Sequence, residues 1–427
     1  MSRLTTFAPP RPKRWMIGAL TPVSRIVFLR GLMKVGAIDF PAADEARFRA
    51  HVTPDTAAFI APNHPEFLTD WLLDKELSAR HAPLMASWAT HDVVNGMGAA
   101  MQWFWLSNNL IAQIPGAGGA AGKRYSVDWA LQGHAVLLHP EGSVAWTADR
   151  VQPLFAGVAD MALEAARRAS PPRHAWVIPV IWRYRFTRDV HDALGRELDL
   201  VDRKLHRRGP RDTDPARRVL DLYTAMLERD ERQWNLPSAE GQPFALRQNS
   251  MLRALTAHLG TMLDDVGIEP LETSSEDVFE RSRTGVRRAD RWLRDDASKT
   301  APARDVIRAL AKTLRRAIRF DPSWYPSSEL TQEQVAENVK RLRVDYCFTG
   351  LGDNLHRFVP QPVGPRVAHI RVPEPIDVTG SGIAAPEALL AELRNRMQHA
   401  LDAMTAQLPA GRRYPNPFRE PPISAAG

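Results

Sequence analysis

The stretch AAFIAPNHPEFLTD, residues 57–70, decides the fold of this chain. Its first five residues are apolar and have the length of a buried strand, and Pro62 ends that strand because proline has no backbone donor. His64 is therefore predicted at the carboxyl end of a strand, where α/β proteins bind their ligands. Asp70 is the nearest carboxylate, in a helix that Thr69 is placed to cap. We expect a histidine base whose ring is held by this aspartate.

A second strand is predicted to bring more polar residues to the same edge of the sheet. The segment AVLLHPEGS, residues 135–143, begins with a short apolar strand and continues into Glu141, Gly142 and Ser143. A third apolar strand, WVIPVIW, covers residues 176–182. Strands that alternate with helices indicate an α/β fold, with a mostly parallel sheet covered by helices.

The middle of the chain is predicted to be helical, and strand character returns only late, in RVAHIRV at residues 366–372. The glycine-rich run at residues 111–123 lacks the Lys-Ser/Thr ending of a nucleotide-binding loop, so we interpret it as a flexible loop. We expect four parts, namely an amphipathic helical segment (1–34), an α/β domain (35–186 and 366–408), an inserted all-α subdomain (187–350) and a disordered tail (409–427).

Composition narrows the class of protein. The chain has 427 residues, of which 44% are hydrophobic and 25% charged, with a formal net charge of +7. That charge suits an anionic membrane or a nucleic acid, but no nucleic-acid-binding motif is present, so we expect no nucleic-acid partner. The single cysteine excludes an internal disulfide and a Cys-based zinc site, and suits a reducing compartment such as the cytoplasm. We expect no metal, and we interpret four further histidines as structural or surface residues: His134, His139, His174 and His258.

The N-terminal segment is amphipathic and basic. Between Arg14 and Lys34 apolar residues, including Trp15, alternate with arginines, and Pro22 is expected to interrupt the helix. No apolar stretch reaches the length that a membrane span needs. Two interpretations stay open: this helix lies at the surface of a membrane, or it packs on its own domain.

The order of the motifs resembles the lysophospholipid/glycerol-phosphate acyltransferase superfamily, in particular 1-acylglycerol-3-phosphate acyltransferases. The resemblance rests on Asn63-His64 with Asp70, on Pro-Glu-Gly-Ser at residues 140–143, and on the Val-Ile-Pro-Val strand at residues 177–180. Residues 153–158 and the late strand at 366–378 also resemble that family. The similarity covers residues 35–186 and 366–408, and the helical middle is not part of the family's pattern.

The resemblance implies catalytic roles for two residues and binding roles for six. His64 is the general base, and Asp70 orients it. Asn63, Glu141, Gly142 and Ser143 shape the acceptor pocket, and Arg124 and Arg150 stand nearest to the family's phosphate-binding cations. Three departures are visible. Five residues instead of four separate His64 from Asp70, no arginine directly follows Ser143, and the basic residue before the glutamate motif is missing.

The resemblance implies an O-acyltransferase of phospholipid metabolism. Acyl-CoA or acyl-carrier protein is the expected co-substrate, a lysophospholipid or related glycerolipid is the acceptor, and no further cofactor is expected. The alternative is a catalytically silent lipid-binding or scaffolding protein on the same fold. We expect a cytoplasmic protein, peripheral on the membrane face if its basic surfaces bind anionic lipid.

The inserted helices carry apolar stripes and basic faces. In the segment at 304–319 we expect an apolar stripe of Val306, Leu310, Leu314 and Ile318, with six basic residues interleaved, namely Arg304, Arg308, Lys312, Arg315, Arg316 and Arg319. A solvated insertion without a ligand and a surface for anionic lipid are both compatible with this pattern.

Overall fold

A computed structural model describes ten segments of the chain, and its contacts divide the chain into two compact units. The units are Met1–Val190 with Leu355–Gly411, and His191–Asn354 with Arg412–Gly427. The described residues are 6–95, 98–113, 118–170, 173–207, 212–237, 241–268, 276–294, 302–347, 362–409 and 411–419. Among these residues no helix has both the length and the apolar character needed to cross a membrane.

The first unit is built on an eight-stranded, mostly parallel sheet, as the alternation of strands and helices predicts. In chain order the strands of the protein are β1 (Val35–Asp39), β2 (Thr56–Pro62), β3 (Ala86–Thr90), β4 (Leu110–Gln113), β5 (Val136–Leu137), β6 (His174–Phe186), β7 (Glu329–Thr331), β8 (Arg366–Arg371), β9 (Ile376–Asp377) and β10 (Arg413–Pro415). The sheet runs in the order β1-β8-β6-β2-β5-β3-β4, and β9 pairs with β6. Among the described strands of this sheet, only β8 and β9 run antiparallel to their neighbour β6.

The centre of the sheet is apolar because its strands are covered on both faces. Six of the seven residues of β2 are buried, and they pair with β6 from Thr56 opposite His174 to Pro62 opposite Val180. β6 is longer than the sequence predicts, since it continues to Phe186 and pairs there with β8. Two large hydrophobic clusters and a small one around β4 pack against the sheet, and one of the large clusters includes Leu393 and Met397 of the last helix.

Helices follow nearly every strand. The α-helices are α1 (Arg14–Val23), α2 (Ala42–His51), α3 (Leu68–His81), α4 (His91–Asn95), α5 (Gly98–Ser107), α6 (Gly118–Leu131), α7 (Gly157–Arg168), α8 (His191–Lys204), α9 (Pro215–Gln233), α10 (Phe244–Asp265), α11 (Val278–Arg294), α12 (Arg304–Ala317), α13 (Gln332–Leu342) and α14 (Pro386–Gln407). Short 3₁₀ and π turns cover Pro322–Trp324 and Arg343–Cys347.

Two local predictions in the first unit are wrong. The glycine-rich run is not one loop. Residues 111–113 belong to β4 and α6 begins at Gly118, while residues 114–117 lie outside the described part. Alanines and a lysine within this run favour a helix and outweigh the glycines. Pro22 does not interrupt the N-terminal helix either, since α1 continues directly into a π-helical segment, Ser24–Leu32. Wider π turns are one way in which a helix accommodates such a disturbance.

The second unit is mostly helical but not all-α as expected. β7 and β10 form a two-stranded antiparallel sheet, with Tyr414 opposite Leu330. The tail is therefore ordered at residues 411–419, because Tyr414 is buried, and a disordered tail from residue 409 is wrong for this part. Residue 410 and residues 420–427 lie outside the described residues.

The apolar stripe of α12 differs by one position from the prediction. Leu310, Leu314 and Ile318 are buried as expected, but Val306 is exposed and Ile307 is buried in its place. The basic residues interleaved with this stripe are largely paired within the unit. Carboxylates bind four of these arginines: Arg308 to Asp305, Arg315 to Asp290, Arg316 to Asp230 and Arg319 to Asp345. This pairing favours a solvated surface over a lipid-binding one.

Candidate active site

The loops that follow β2 and β5 meet at the carboxyl edge of the sheet. These two strands are parallel neighbours, with Phe59 opposite Val136 and Ile60 opposite Leu137. The backbone N–H of His64 donates to Glu141 Oε1 at 3.1 Å, and the backbone N–H of Ala145 donates to His64 O at 2.9 Å. The prediction that the two motifs converge is therefore confirmed at the level of geometry.

The predicted pair of His64 and Asp70 is formed. His64 Nδ1 lies 2.8 Å from Asp70 Oδ2. Asp70 is fully buried, whereas 14% of the His64 side chain remains exposed. No described residue makes a hydrogen bond to His64 Nε2, so this nitrogen is the one available to a substrate.

The extra residue between His64 and Asp70 is absorbed before the helix begins. α3 begins at Leu68, which places Asp70 in its first turn, where a negative charge is favoured. The backbone N–H of Glu66 donates to Asp70 Oδ2 at 2.7 Å and thereby closes the loop onto the carboxylate. Thr69, at the aspartate position of the resembled family, is buried and donates its hydroxyl to Glu66 Oε2 at 2.6 Å.

A buried ion pair and a tyrosine support the carboxylate from behind. Tyr184 on β6 donates its hydroxyl to Asp70 Oδ1 at 2.6 Å. Arg366, the first residue of β8, binds both carboxylate oxygens of Glu66 at 2.6 and 2.8 Å, and its guanidinium lies 4.5 Å from the centre of the Tyr184 ring. Both carboxylate oxygens of Asp70 are thus held, Oδ1 by the Tyr184 hydroxyl and Oδ2 by the backbone N–H of Glu66.

Asn63 holds the strand end rather than a ligand. Its side chain donates to Trp182 O at 3.0 Å and accepts from Trp182 N at 2.9 Å, so it replaces a pair of sheet hydrogen bonds beyond the end of β2. The binding role that the resemblance implies for Asn63 stays a prediction, and in this structure the amide orients the loop that carries His64.

Glu141 lies in an unusual electrostatic environment. Its side chain is buried, and burial raises its pKa to about 7, although the backbone N–H groups of His64 and Gln152 favour the anion. A glutamate with such a pKa changes its protonation state near neutral pH.

Gly142 is required by the shape of the turn, and Ser143 faces solvent. Gly142 has φ +67°, and a Cβ there would lie 2.7 Å from the Phe155 ring. Any other residue would be strained twice, by its backbone and by this contact. Ser143 is exposed, and it precedes by two residues Ala145, whose backbone N–H donates to His64 O.

The two predicted cations do not bind the site in this structure. Arg124 on α6 and Arg150 in the loop after β5 are exposed. Among the described residues, neither has a hydrogen bond or an ion pair to His64, Asp70 or Glu141. The roles of Arg124 and Arg150 toward phosphate therefore stay predictions.

The described residues do not include three His, Cys, Asp or Glu side chains grouped as a metal site requires.

A second histidine–carboxylate pair lies against the first. The ring of His139 stacks on that of His64, with centres 4.1 Å apart and planes at 18°. His139 Nε2 lies 3.2 Å from Asp74 Oδ2, and its Nδ1 lies 3.0 Å from the backbone oxygen of Asn63. Interpreting His139 as a structural or surface residue misses this pair. A helical signal was available, since Asp74 follows Asp70 by four residues and shares its face of α3.

The pKa values of the two histidines are shifted in opposite directions. Burial lowers the pKa of His64 well below its usual range, and the neighbouring His139 lowers it further. Burial also lowers the pKa of His139, but the charge of Asp74 and the hydrogen bonds to Asp74 and Asn63 outweigh it, so the net pKa is raised. Burial raises the pKa of Asp70, and the donors Tyr184 and Glu66 N–H oppose this shift. Perturbations of this size cluster at functional sites.

Neither a model of a known protein family nor a curated protein matches this chain. The class of protein that the structure establishes is therefore an α/β protein with a mostly parallel sheet, whose strand ends carry a cluster of buried, mutually bonded ionisable groups.

Proposed function

We propose that the protein is an O-acyltransferase that moves a fatty acyl group from acyl-CoA or acyl-carrier protein to a hydroxyl of a lysophospholipid or related glycerolipid. The observation that carries the proposal is the His64–Asp70 pair, with Nδ1 bound to a buried carboxylate and Nε2 left for a substrate. The order of motifs along the sheet supports the finer proposal that the fold is of the glycerolphosphate acyltransferase type.

The chemistry follows from the two nitrogens of His64. In the active form Asp70 is an anion, Nδ1 carries the ring's proton, and Nε2 has a lone pair. Nε2 removes the proton of the acceptor hydroxyl as its oxygen attacks the thioester carbonyl, and Asp70 stabilises the imidazolium that forms. The C–S bond then breaks, and the leaving thiolate takes the proton from His64. The products are an ester and a free thiol.

The acceptor side of the site is assigned to the turn after β5. Glu141 and Gly142 hold the turn against the His64 loop, and the exposed Ser143 hydroxyl is placed to meet the acceptor. Glu141 in its neutral form can donate a hydrogen bond, which its pKa of about 7 allows near neutral pH. Arg124 and Arg150 are solvent-exposed cations proposed to attract a phosphate-bearing acceptor without contacting the reacting atoms.

The proposal is tested by release of free thiol from acyl-CoA, or from acylated carrier protein, across a panel of lysophospholipids and other monoacylglycerol lipids. Transfer to at least one acceptor, shown by mass spectrometry of the ester product, is expected with the wild type and not with His64→Ala. Binding of lipid without thiol release, equal for both proteins, would instead identify a silent lipid-binding or scaffolding protein.

We further propose that the protein acts as a peripheral protein at the cytoplasmic face of an anionic membrane, and that α1 with its π-helical continuation makes the contact. Five large apolar side chains of this segment are exposed, namely Trp15, Val23, Ile26, Val27 and Phe28. Arg25 and Arg30 line an adjoining cavity of about 480 Å³, where Arg25 is ion-paired with Glu76 and Arg30 is exposed, so Arg30 is the cation assigned to an anionic headgroup. Exposed apolar residues beside basic ones are typical of helices that lie at the membrane surface.

Flotation with liposomes tests the membrane proposal and compares the N-terminal segment with α12. We expect salt-sensitive binding to anionic vesicles, and we expect the double variant Ile26→Ser/Val27→Ser to lose most of it. Val306→Ser, which removes an exposed apolar side chain of α12, is the matched control and keeps wild-type binding. Equal recovery with neutral and anionic vesicles, or loss with the control alone, would contradict the assignment.

A further inference from the structure

We propose that His139, held as an imidazolium by Asp74, is a positioning residue. Its positive charge favours loss of a proton from the buried His64–Asp70 pair, which can then act as a base. This inference rests on the proposed function for its kinetic consequence only, since the charge of the second pair is measurable without a substrate. It assigns a role to a histidine that touches no reacting atom.

The hydrogen bonds of His139 determine where its protons lie. Its Nδ1 faces the backbone oxygen of Asn63, which can only accept, so Nδ1 carries a proton. Its Nε2 faces Asp74 Oδ2, and the other oxygen of Asp74 is buried without a hydrogen-bond partner among the described residues. A carboxylate in that position is compensated best by a cation, and protons on both ring nitrogens supply it. Both nitrogens are thus engaged, and His139 has none left for a substrate.

The stacked geometry brings this charge against the catalytic ring. The two ring centres are 4.1 Å apart, and the ring of Trp182 contacts His139 from another side, edge to face at 5.7 Å. His139 cannot move away from His64 without losing the bonds to Asn63 and Asp74. At this distance and in a buried site, a unit charge shifts the pKa of a neighbour strongly.

The catalytic pair needs such a charge. To act as a base it must hold Asp70 as an anion beside a neutral His64, and Asp70 is fully buried. Burial opposes that anion, whereas a neighbouring cation favours the loss of a proton from either partner. The apparent pKa therefore belongs to the pair as a unit, and the imidazolium of His139 lowers it.

Other ionisable groups lie around the His64–Asp70 pair, and a substitution at position 139 does not replace them. They are Asp70 and Asp74 on α3, Glu66 in the preceding loop, Glu141 after β5, Tyr184 on β6, and Arg366 on β8. Lys75 lies next to Asp74 on α3. Arg366 is already bound to Glu66, and the carboxylates raise the pKa of the pair, so His139 is the cation in contact with the ring.

Two substitutions remove the charge while each keeps one hydrogen bond. His139→Asn retains a donor where Nδ1 stood, toward Asn63, and His139→Gln retains a donor where Nε2 stood, toward Asp74. We expect both to raise the apparent pKa of the His64–Asp70 pair by about one pH unit. Asp74→Asn removes an anion together with the cation that it holds, so its shift is expected to be smaller.

The direct measurement is NMR titration of the full-length protein labelled at histidine Cε1, with the His64 signal assigned by its absence in His64→Asn. Folding of each variant is checked by its melting curve. An unchanged or lowered His64 titration in both folded His139 variants overturns the proposal. A shift in only one of them overturns it too, because the cause would then be the lost bond and not the charge.

The kinetic measurement is the pH profile of kcat/KM. The acid limb is expected to move to higher pH by about one pH unit in both variants, so the loss approaches about tenfold on the acid limb and is small on the plateau. Equal loss at every pH would show that His139 acts only through structure. If the wild type transfers no acyl group, the proposed function fails, and the NMR titration still decides the inference.

Discussion

Two histidine–aspartate pairs lie at opposite edges of the same sheet. Their contact distances are nearly equal, but their burial differs. His64 and Asp70 approach to 2.8 Å at the carboxyl edge, and His174 and Asp377 approach to 2.9 Å, with His174 opposite Thr56 at the start of β2. Asp70 is fully buried, whereas 47% of His174 and 27% of Asp377 are exposed.

The difference teaches that a contact distance does not make a catalytic pair. At the carboxyl edge burial shifts the pKa of both partners, and further donors fix the carboxylate from behind. At the other edge water screens the charges, and the pair is an ordinary surface contact. The environment supplied by the sheet and its loops, rather than the two residue types, separates a candidate base from a structural pair.

The largest effect is expected from removing the histidine of each pair in turn. His64→Ala should lower acyl transfer about 10³-fold or more, because the base is lost, and should leave the melting temperature nearly unchanged. His174→Ala, the matched variant at the other edge, should leave the rate of transfer unchanged. The measurement is thiol release at saturating acceptor. Loss of activity in both variants, or in neither, would remove the distinction between the two edges.

The second largest effect is expected from the Arg366–Glu66 ion pair, which lies behind His64 and Asp70. Arg366→Met leaves Glu66 without its guanidinium in a buried site, and we expect the free energy of unfolding to fall by about 3–5 kcal/mol. The control is Arg167→Met, which breaks an exposed pair with Glu164 on α7 and should cost at most about 1 kcal/mol. Urea unfolding followed by tryptophan fluorescence measures both. Equal costs would show that the carboxyl edge does not depend on this ion pair.

Glu141→Gln should separate stability from function and should depend on pH. The raised pKa of Glu141 means that the folded protein binds its proton more tightly than the unfolded chain does. Its contribution to stability is therefore present at pH 4 and is lost as the pH rises through about 7. The variant should be more stable than the wild type by up to about 3 kcal/mol at pH 9, and equal to it near pH 4.

The same variant should impair use of the acceptor, seen as a higher KM or a lower kcat/KM, because the amide cannot cycle between donor and anion. Glu164→Gln, at an exposed position on α7, is the control and should change neither quantity. A variant that is no more stable than the wild type at pH 9 would mean that Glu141 is not a strained, buried acid.

The smallest effect is expected from one hydroxyl. Tyr184→Phe removes a 2.6 Å donor to Asp70, and we expect a loss of about 1.5 kcal/mol in the free energy of unfolding. Since the donor also stabilises the carboxylate, the acid limb of the kcat/KM profile should move to higher pH. Tyr125→Phe, whose hydroxyl makes only a 3.4 Å contact to Asn109, is the control. An unchanged pH profile would exclude Tyr184 from the tuning of the pair.

Much of the α/β unit was predictable, because local patterns determine it. The apolar run before His64 and the apolar run before Glu141 each become a strand, and parallel strands bring their carboxyl ends to one edge. His64, Asp70 and Glu141 were therefore predicted together and do come together. The mistakes lie where a local signal had a competitor, as in the glycine-rich run that α6 occupies and in the tail, where the burial of Tyr414 outweighs a proline-rich composition.

By itself, then, the sequence determined the strands that lead to His64 and Glu141, the helix that carries Asp70, and the identity of the predicted base. Only the tertiary structure decided which groups set the pKa of that base. Arg366 comes from a strand about 300 positions further along the chain, and Tyr184 lies near the end of β6, beyond the strand that the sequence predicts. His139 and Asp74 meet only because β5 delivers one beside the helix that carries the other. Contacts of this kind depend on long-range packing, and short-range periodicity carries no record of them, whereas pKa values depend on every charge and on the burial that such packing creates.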